Sequence, residues 1–192
     1  NGSRTKMLWL SEGLTVYYEY LVVKRAGLKT EAELLKEFQV SIKAYETKPG
    51  RQFQTPAEAS WKTWDEGPFG RTGDEVNKTI SPYDKGPLLG ILLDFRIRHE
   101  TKNKYSLDDL MRALWQQYGL TGTGVPEDGI GRLAAGIAGS ALDDFFAAYV
   151  HGRQDPPLAD LLADVGLAFG LRPAEGASDK GGRPARRAGA AA

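Results

Sequence analysis

The chain has 192 residues, enough for one domain that buries roughly 70% of its extended surface with no disulfide or metal staple. Its 25 basic residues balance 25 acidic ones, which removes the positive field of a dedicated nucleic-acid binder and any acidic-substrate trap. Cysteine is absent, so thiolate chemistry, disulfides and Cys-based metal sites are excluded, while the compartment stays unencoded.

Residues 7–26 read as a helix with a wide apolar face (Met7, Leu8, Leu10, Leu14, Tyr17, Leu21), and Gly27 sits where a left-handed cap would end it. Such width implies burial on several sides. Thr30 with Glu33 forms a capping-box pattern that opens a second helix to about Tyr45, ended by Pro49-Gly50. Thr55-Pro56-Ala57-Glu58 repeats the start signal for a short helix carrying Trp61 and Trp64. Residues 65–80 are polar and Gly-rich and are expected to form a long surface loop.

Residues 83–99 are almost continuously apolar and predict a helix at the centre of a bundle, with an irregular first turn because the Pro87 ring removes one amide donor. Ser106-Leu107-Asp108-Asp109 opens a helix to Tyr118, stopped by Gly119, and Ser140-Ala141-Leu142-Asp143 opens one stopped by Gly152. A glycine-weakened helix is expected over residues 126–138, a short one over 157–165, and an isolated strand over 167–171. Beyond Pro173, Gly, Ala, Arg and Pro dominate, which predicts a mobile tail or linker over residues 173–192. Its Arg183, Arg186 and Arg187 read as a solvated linker rather than a binding patch. The longest apolar run, residues 87–93, is far below the roughly 20 residues that span a bilayer, so a soluble segment without a membrane span is expected.

One carboxylate stands out. Glu12 lies among Trp9, Leu10, Leu14 and Tyr17 and is followed by Gly13, which costs about 1 kcal/mol relative to alanine inside a helix. The residues alone allow two readings: Glu12 on the wet edge with Gly13 admitting a neighbouring helix, or a functional carboxylate. The pattern Trp9-x-x-Glu12-Gly13-x-Thr15-x-Tyr17 resembles the third-ligand helix of gluzincin zinc metallopeptidases, and residues 8–20 are similar to that helix in the glycyl aminopeptidase family. Residues 23–28, 48–54, 58–61 and 79–86 look like successive blocks of the same family. The similarity thins after about Tyr118 and returns at Asp144-Phe145-Phe146.

The resemblance implies a mainly α, bundle-like C-terminal half of a gluzincin catalytic domain over residues 1–172, with the mobile tail following. It implies that Glu12 is a zinc ligand beside two histidines of an upstream H-E-x-x-H helix, which also supplies the general base. No such motif occurs in this sequence, so zinc is expected in the full-length enzyme and not in this fragment, which should be silent alone. Tyr83, in the Tyr83-x-Lys85-Gly86 block, matches the tyrosine that donates its phenol to the oxyanion of the tetrahedral intermediate; read from pattern alone it would be a core tyrosine. The partners implied are a peptide substrate, the upstream half of the catalytic domain and a downstream PDZ-like domain.

Glu19 follows Glu12 by two helical turns and faces the same side, either supporting a metal ligand or pairing with a nearby lysine. His99 and His151 stand near helix C-termini without a second histidine four residues away, and belong on the surface. Asp108-Asp109 and Asp143-Asp144 read as helix starts. A different class of function, a helical interaction module with an aromatic groove and no chemistry at Glu12, fits the same composition. If half of an active site lies upstream, Trp9, Tyr17 or their neighbours should line an exposed apolar surface.

Overall fold

The computed structural model describes residues 4–66, 75–176 and 178–179, and its described residues form helices and connections without a strand. In chain order the helices are α1 (Leu8–Arg25), α2 (Glu31–Glu46), a 3-10 turn (Pro49–Gln52), α3 (Pro56–Glu66), α4 (Glu75–Lys78) and α5 (Pro82–Glu100). Next come α6 (Leu107–Leu114), widening into a π turn (Trp115–Gly119), α7 (Gly129–Ala138), and α8 (Asp143–Phe145), widening into a second π turn (Phe146–Val150). The last is α9 (Leu158–Ala163).

α5 is the axis of the bundle. Leu88, Leu89, Leu92, Leu93 and Ile97 are buried around its circumference, as its continuous hydrophobicity predicts for a helix with neighbours on all sides. α1 lies along it through Leu14 and Tyr17, and α2 closes over the same core with Phe38, Ile42 and Tyr45. α6, α7, the α8 segment and α9 complete the wall with Leu107, Leu110, Ile130, Ala134, Phe145, Val150, Leu158 and Leu162. Asp94 is the polar knot inside this core. It accepts from the Tyr17 hydroxyl at 2.7 Å, the Leu107 amide at 2.8 Å and Arg98 Nε at 3.1 Å, so a buried charge is paired and α1, α5 and α6 are joined. Burial, then the neighbouring Asp94 charge, push the Tyr17 phenol well above its usual pKa.

The helix starts follow local rules. Thr30–Glu33, Ser81–Asp84 and Ser106–Asp109 each form a reciprocal capping box, and Thr55 and Glu58 exchange the same pair of bonds. Gly27 has φ +75°, and the amides of Gly27 and Leu28 bond back to Lys24 and Val23, closing the end of α1. Thr30→Ala removes one side of the first box and should cost about 1 kcal/mol, read as a small drop in the urea midpoint at unchanged m-value.

Four expectations are corrected. The loop over 65–80 is interrupted: residues 65 and 66 still belong to α3, and α4 occupies Glu75–Lys78, while residues 67–74 lie outside the described residues. Residues 167–171 are irregular rather than a strand, since a lone strand has no partner for its backbone groups. Ser140 caps nothing; the cap position of α8 is Leu142, and the Ser140 hydroxyl is buried without a hydrogen-bond partner. The helix expected from residue 126 begins at Gly129, after a turn closed by the Gly129 amide on the Pro126 carbonyl at 2.8 Å. In the tail, Arg172 forks onto Asp179 at 2.6 and 3.0 Å, and residues 180–192, with the three arginines, lie outside the described residues. No helix among the described residues is long and apolar enough to cross a membrane.

Candidate functional site

The site is built where α1 crosses α5. A Cβ placed on Gly13 would stand 2.3 Å from the Gly86 carbonyl carbon and 2.4 Å from its Cα, and one on Gly86 would stand 2.7 Å from both the Gly13 Cα and the Trp9 carbonyl oxygen. The two backbones therefore touch, which no pair of larger residues permits. One turn along α5, a Cβ on Gly90 would come within 3.0 Å of the Leu14 side chain and 3.2 Å of Tyr17 Cβ, so the close approach extends for a turn. The intrinsic cost of glycine at position 13 is thus answered by helix contact.

That contact sets the register of two side chains. Glu12 precedes Gly13 on α1, and Tyr83 precedes Gly86 by about one turn on α5, so both project at the edge of the crossing. Tyr83 Oη donates to Glu12 Oε2 at 2.5 Å. Glu12 is half-buried, and Tyr83 is 56% exposed, which removes the core-tyrosine reading. The bond to Glu12, then partial burial, raise the Tyr83 pKa, so the phenol keeps its proton at neutral pH and can act as a donor. Its backbone is held by the Ser81 cap and by Pro82 at the first helical position, and Asp84 returns a carboxylate to the Ser81 amide at 2.8 Å.

The remaining candidates lie elsewhere. Glu19 is exposed and its charge acts on Lys29, which accords with the solvated reading. His99 is exposed with Nδ1 3.0 Å from the Asp164 carboxylate, and His151 is exposed beside Trp61 and Lys6. Asp108 takes the Tyr18 hydroxyl at 2.9 Å and Arg25 at 3.1 Å, and Asp144 takes Arg96 at 3.2 Å, so these carboxylates serve helix starts and ion pairs. Trp9 and Tyr17 do not line an exposed surface or a groove. They are 3% and 2% exposed: the Trp9 amide donates to Ser60 Oγ at 2.9 Å, its ring meets Phe146 edge-on, and Tyr17 is fastened to Asp94. Exposed aromatic residues do occur among the described residues, with Phe53, Trp61, Trp64 and Tyr83 in the first half of the chain and Trp115 far along it.

Among the described residues no group of three His, Asp or Glu side chains could hold a metal ion. The donor set at the crossing is one carboxylate and one phenol. It fits a single corner of a metal site: an anionic oxygen donor on a rigid helix, with a hydrogen-bond partner fixing its orientation. Sequence reading missed the glycine pair behind this geometry and the buried Lys85. The signals were a Gly86-x-x-x-Gly90 spacing on the face that meets Gly13, and a lysine two residues before the apolar run of residues 87–93.

The helical bundle has the fold of part of a solved protein: the chain superposes on the crystal structure of an aminopeptidase N family protein from Idiomarina loihiensis with a TM-score of 0.89. The two are 24% identical over 97% of this chain and 32% of that one, so this chain spans about a third of its neighbour. Residues 1–89, which contain Glu12, Gly13, Tyr83 and Gly86, match the M61 glycyl aminopeptidase family. That match ends at residue 89, before Asp144-Phe145-Phe146, so the likeness expected there is not part of it. No curated protein matches the sequence.

Proposed function

We propose that this chain is the helical part of a zinc-dependent aminopeptidase catalytic domain, to which it contributes the metal-ligating carboxylate of Glu12 and the phenol donor of Tyr83. The observation that carries the reading is the Tyr83–Glu12 hydrogen bond at the edge of the α1–α5 crossing, within the residues that match the M61 family. When bound, zinc in such a site polarises the scissile carbonyl and lowers the pKa of a bound water toward about 7. The chain's own part is positional and electrostatic. The crossing holds Glu12 at one corner, and Tyr83 presents a protonated hydroxyl to the oxygen on which negative charge develops as a peptide bond is attacked. The two imidazoles and the general base come from an upstream H-E-x-x-H segment, and the substrates are peptides with a small N-terminal residue such as glycine or alanine.

Metal analysis and turnover of two polypeptides test this. A longer product that includes the upstream segment should carry one zinc per chain and cleave glycyl or alanyl reporter substrates, whereas the 192-residue chain should show neither. Tight one-to-one zinc binding by the short chain, or a longer product without zinc, overturns the proposal.

A further inference from the structure

Two residues past Tyr83, α5 buries a lysine. Lys85 is 2% exposed, its Nζ donates to the Gln154 carbonyl at 2.9 Å and lies 5.7 Å from the centroid of the Tyr45 ring. Tyr45 in turn donates to Asp155 at 2.8 Å, and Asp155 also pairs with Arg51, which reaches Glu46 at 3.3 Å. Burial presses Asp155 upward, yet Arg51 and Tyr45 hold it below the usual carboxylate range. Burial is also the main influence on Lys85, pushing the ammonium down to about 8 against the attraction of Asp155.

An ammonium is an expensive group to hide beside an apolar helix, where an alkyl chain of the same length would fill the space without desolvation. Its position gives it a use. Pro87 has no amide for the Tyr83 carbonyl four residues back, so the turn that carries the phenol is short of one internal bond. Side chains two residues apart point to nearly opposite sides of a helix, so Lys85 holds from inside the turn that presents Tyr83 outside. On other sides the same turn is held by Asp84, which pairs with Lys48 at 3.6 Å, and by Gly86 against Gly13.

We propose that Lys85 is a positioning residue for the Tyr83–Glu12 pair: its buried ammonium ties the first turn of α5 to the backbone at Gln154 and to the Tyr45–Asp155–Arg51 cluster, and thereby fixes the phenol on the carboxylate. The functional value of this tie rests on the site assigned above, but its test reads the pair directly.

Because the chain lacks cysteine, Lys85→Cys provides a single thiol. Alkylating the unfolded variant with 2-bromoethylamine and refolding it restores a cationic side chain of lysine length; 2-bromoethanol gives a neutral one of the same length. The readout is the 13Cζ resonance of Tyr83, assigned with Tyr83→Phe, and Glu12→Gln supplies the position of a phenol without its carboxylate. Lys85→Met and the hydroxyethyl adduct should move the Tyr83 resonance toward the Glu12→Gln position, with Tyr105, beyond the far end of α5, unmoved. The aminoethyl adduct should return it to the wild-type position.

A Tyr83 resonance indifferent to the loss of charge, or restored equally by the neutral adduct, overturns the proposal. So does a chain that folds only with the cation in place, since Lys85 is then a folding residue. In the longer, zinc-loaded polypeptide, Lys85→Met should lower kcat about ten- to a hundredfold with KM and zinc content held. A shifted resonance with unchanged kcat leaves the tie standing and removes the catalytic assignment of the pair, so the two claims fail separately.

Discussion

Tyr83→Phe, placed in the zinc-carrying longer polypeptide, is expected to lower kcat about a hundred- to a thousandfold while KM and zinc content stay at wild-type values. The substitution keeps the ring and deletes the hydroxyl that Glu12 now receives at 2.5 Å. Since the side chain is largely exposed, the melting temperature should hardly change. A hydroxyl that serves the developing oxyanion acts in the transition state and not in the substrate complex, which is why kcat should fall alone. If the phenol instead served mainly to orient Glu12, zinc would be lost with it; a fall in zinc occupancy matching the fall in turnover would refute the oxyanion role. In the metal-free chain the bond to Glu12 raises the phenol's pKa, so an ultraviolet titration of the 192-residue chain should show the Tyr83 ring ionising above the ordinary tyrosine range, and that late component should be missing from the phenylalanine variant.

Gly13→Ala should destabilise the chain by about 2 kcal/mol or more, against the direction of helix propensity. At an exposed helical site the same exchange gains up to about 1 kcal/mol, because alanine restricts the unfolded chain and glycine does not. Here the added methyl meets the Gly86 backbone at 2.3 and 2.4 Å, and a backbone cannot turn aside as a side-chain tip can. The helices must separate along a contact that also seats Leu14 and Tyr17. Gly136→Ala in α7 is the matched control, for a Cβ there meets nothing within 4 Å and should stabilise. Thermal unfolding of the pair should give opposite shifts, the first a loss of several degrees. Equal shifts of the same sign would mean that the α1–α5 contact contributes nothing to stability.

How far the sequence foretold this structure depends on the range over which each signal acts. Thr30, Ser81 and Ser106 announced their helices because a cap is decided within four residues, and the apolar run through Leu88–Leu93 announced the central helix because its period and density are local too. Ser140 carries a similar pattern and misleads, since its hydroxyl is turned into a buried position where no amide meets it. The π turns at Trp115–Gly119 and Phe146–Val150 have no composition that separates them from α-helix. Glu12 and Tyr83 were named through resemblance, each on its own segment. Their meeting could not be read, because 71 residues separate them and only the depth of the Gly13–Gly86 contact fixes their register. Trp9, Tyr17 or their neighbours were expected at an open surface on the argument that a divided site exposes its aromatic residues; Ser60 and Asp94 hold those two residues within the bundle, while Tyr83 at the same crossing is exposed.

The touching glycines also limit how this helix pair can drift. Elsewhere in a core, a bulkier residue on one helix can be answered by a smaller one opposite, and sequences wander through such exchanges. At this crossing both partners are already the smallest residue there is, so nothing at position 86 can make room for a side chain at position 13. A suppressor selection started from Gly13→Ala should therefore return the glycine codon itself, and never a change at its partner.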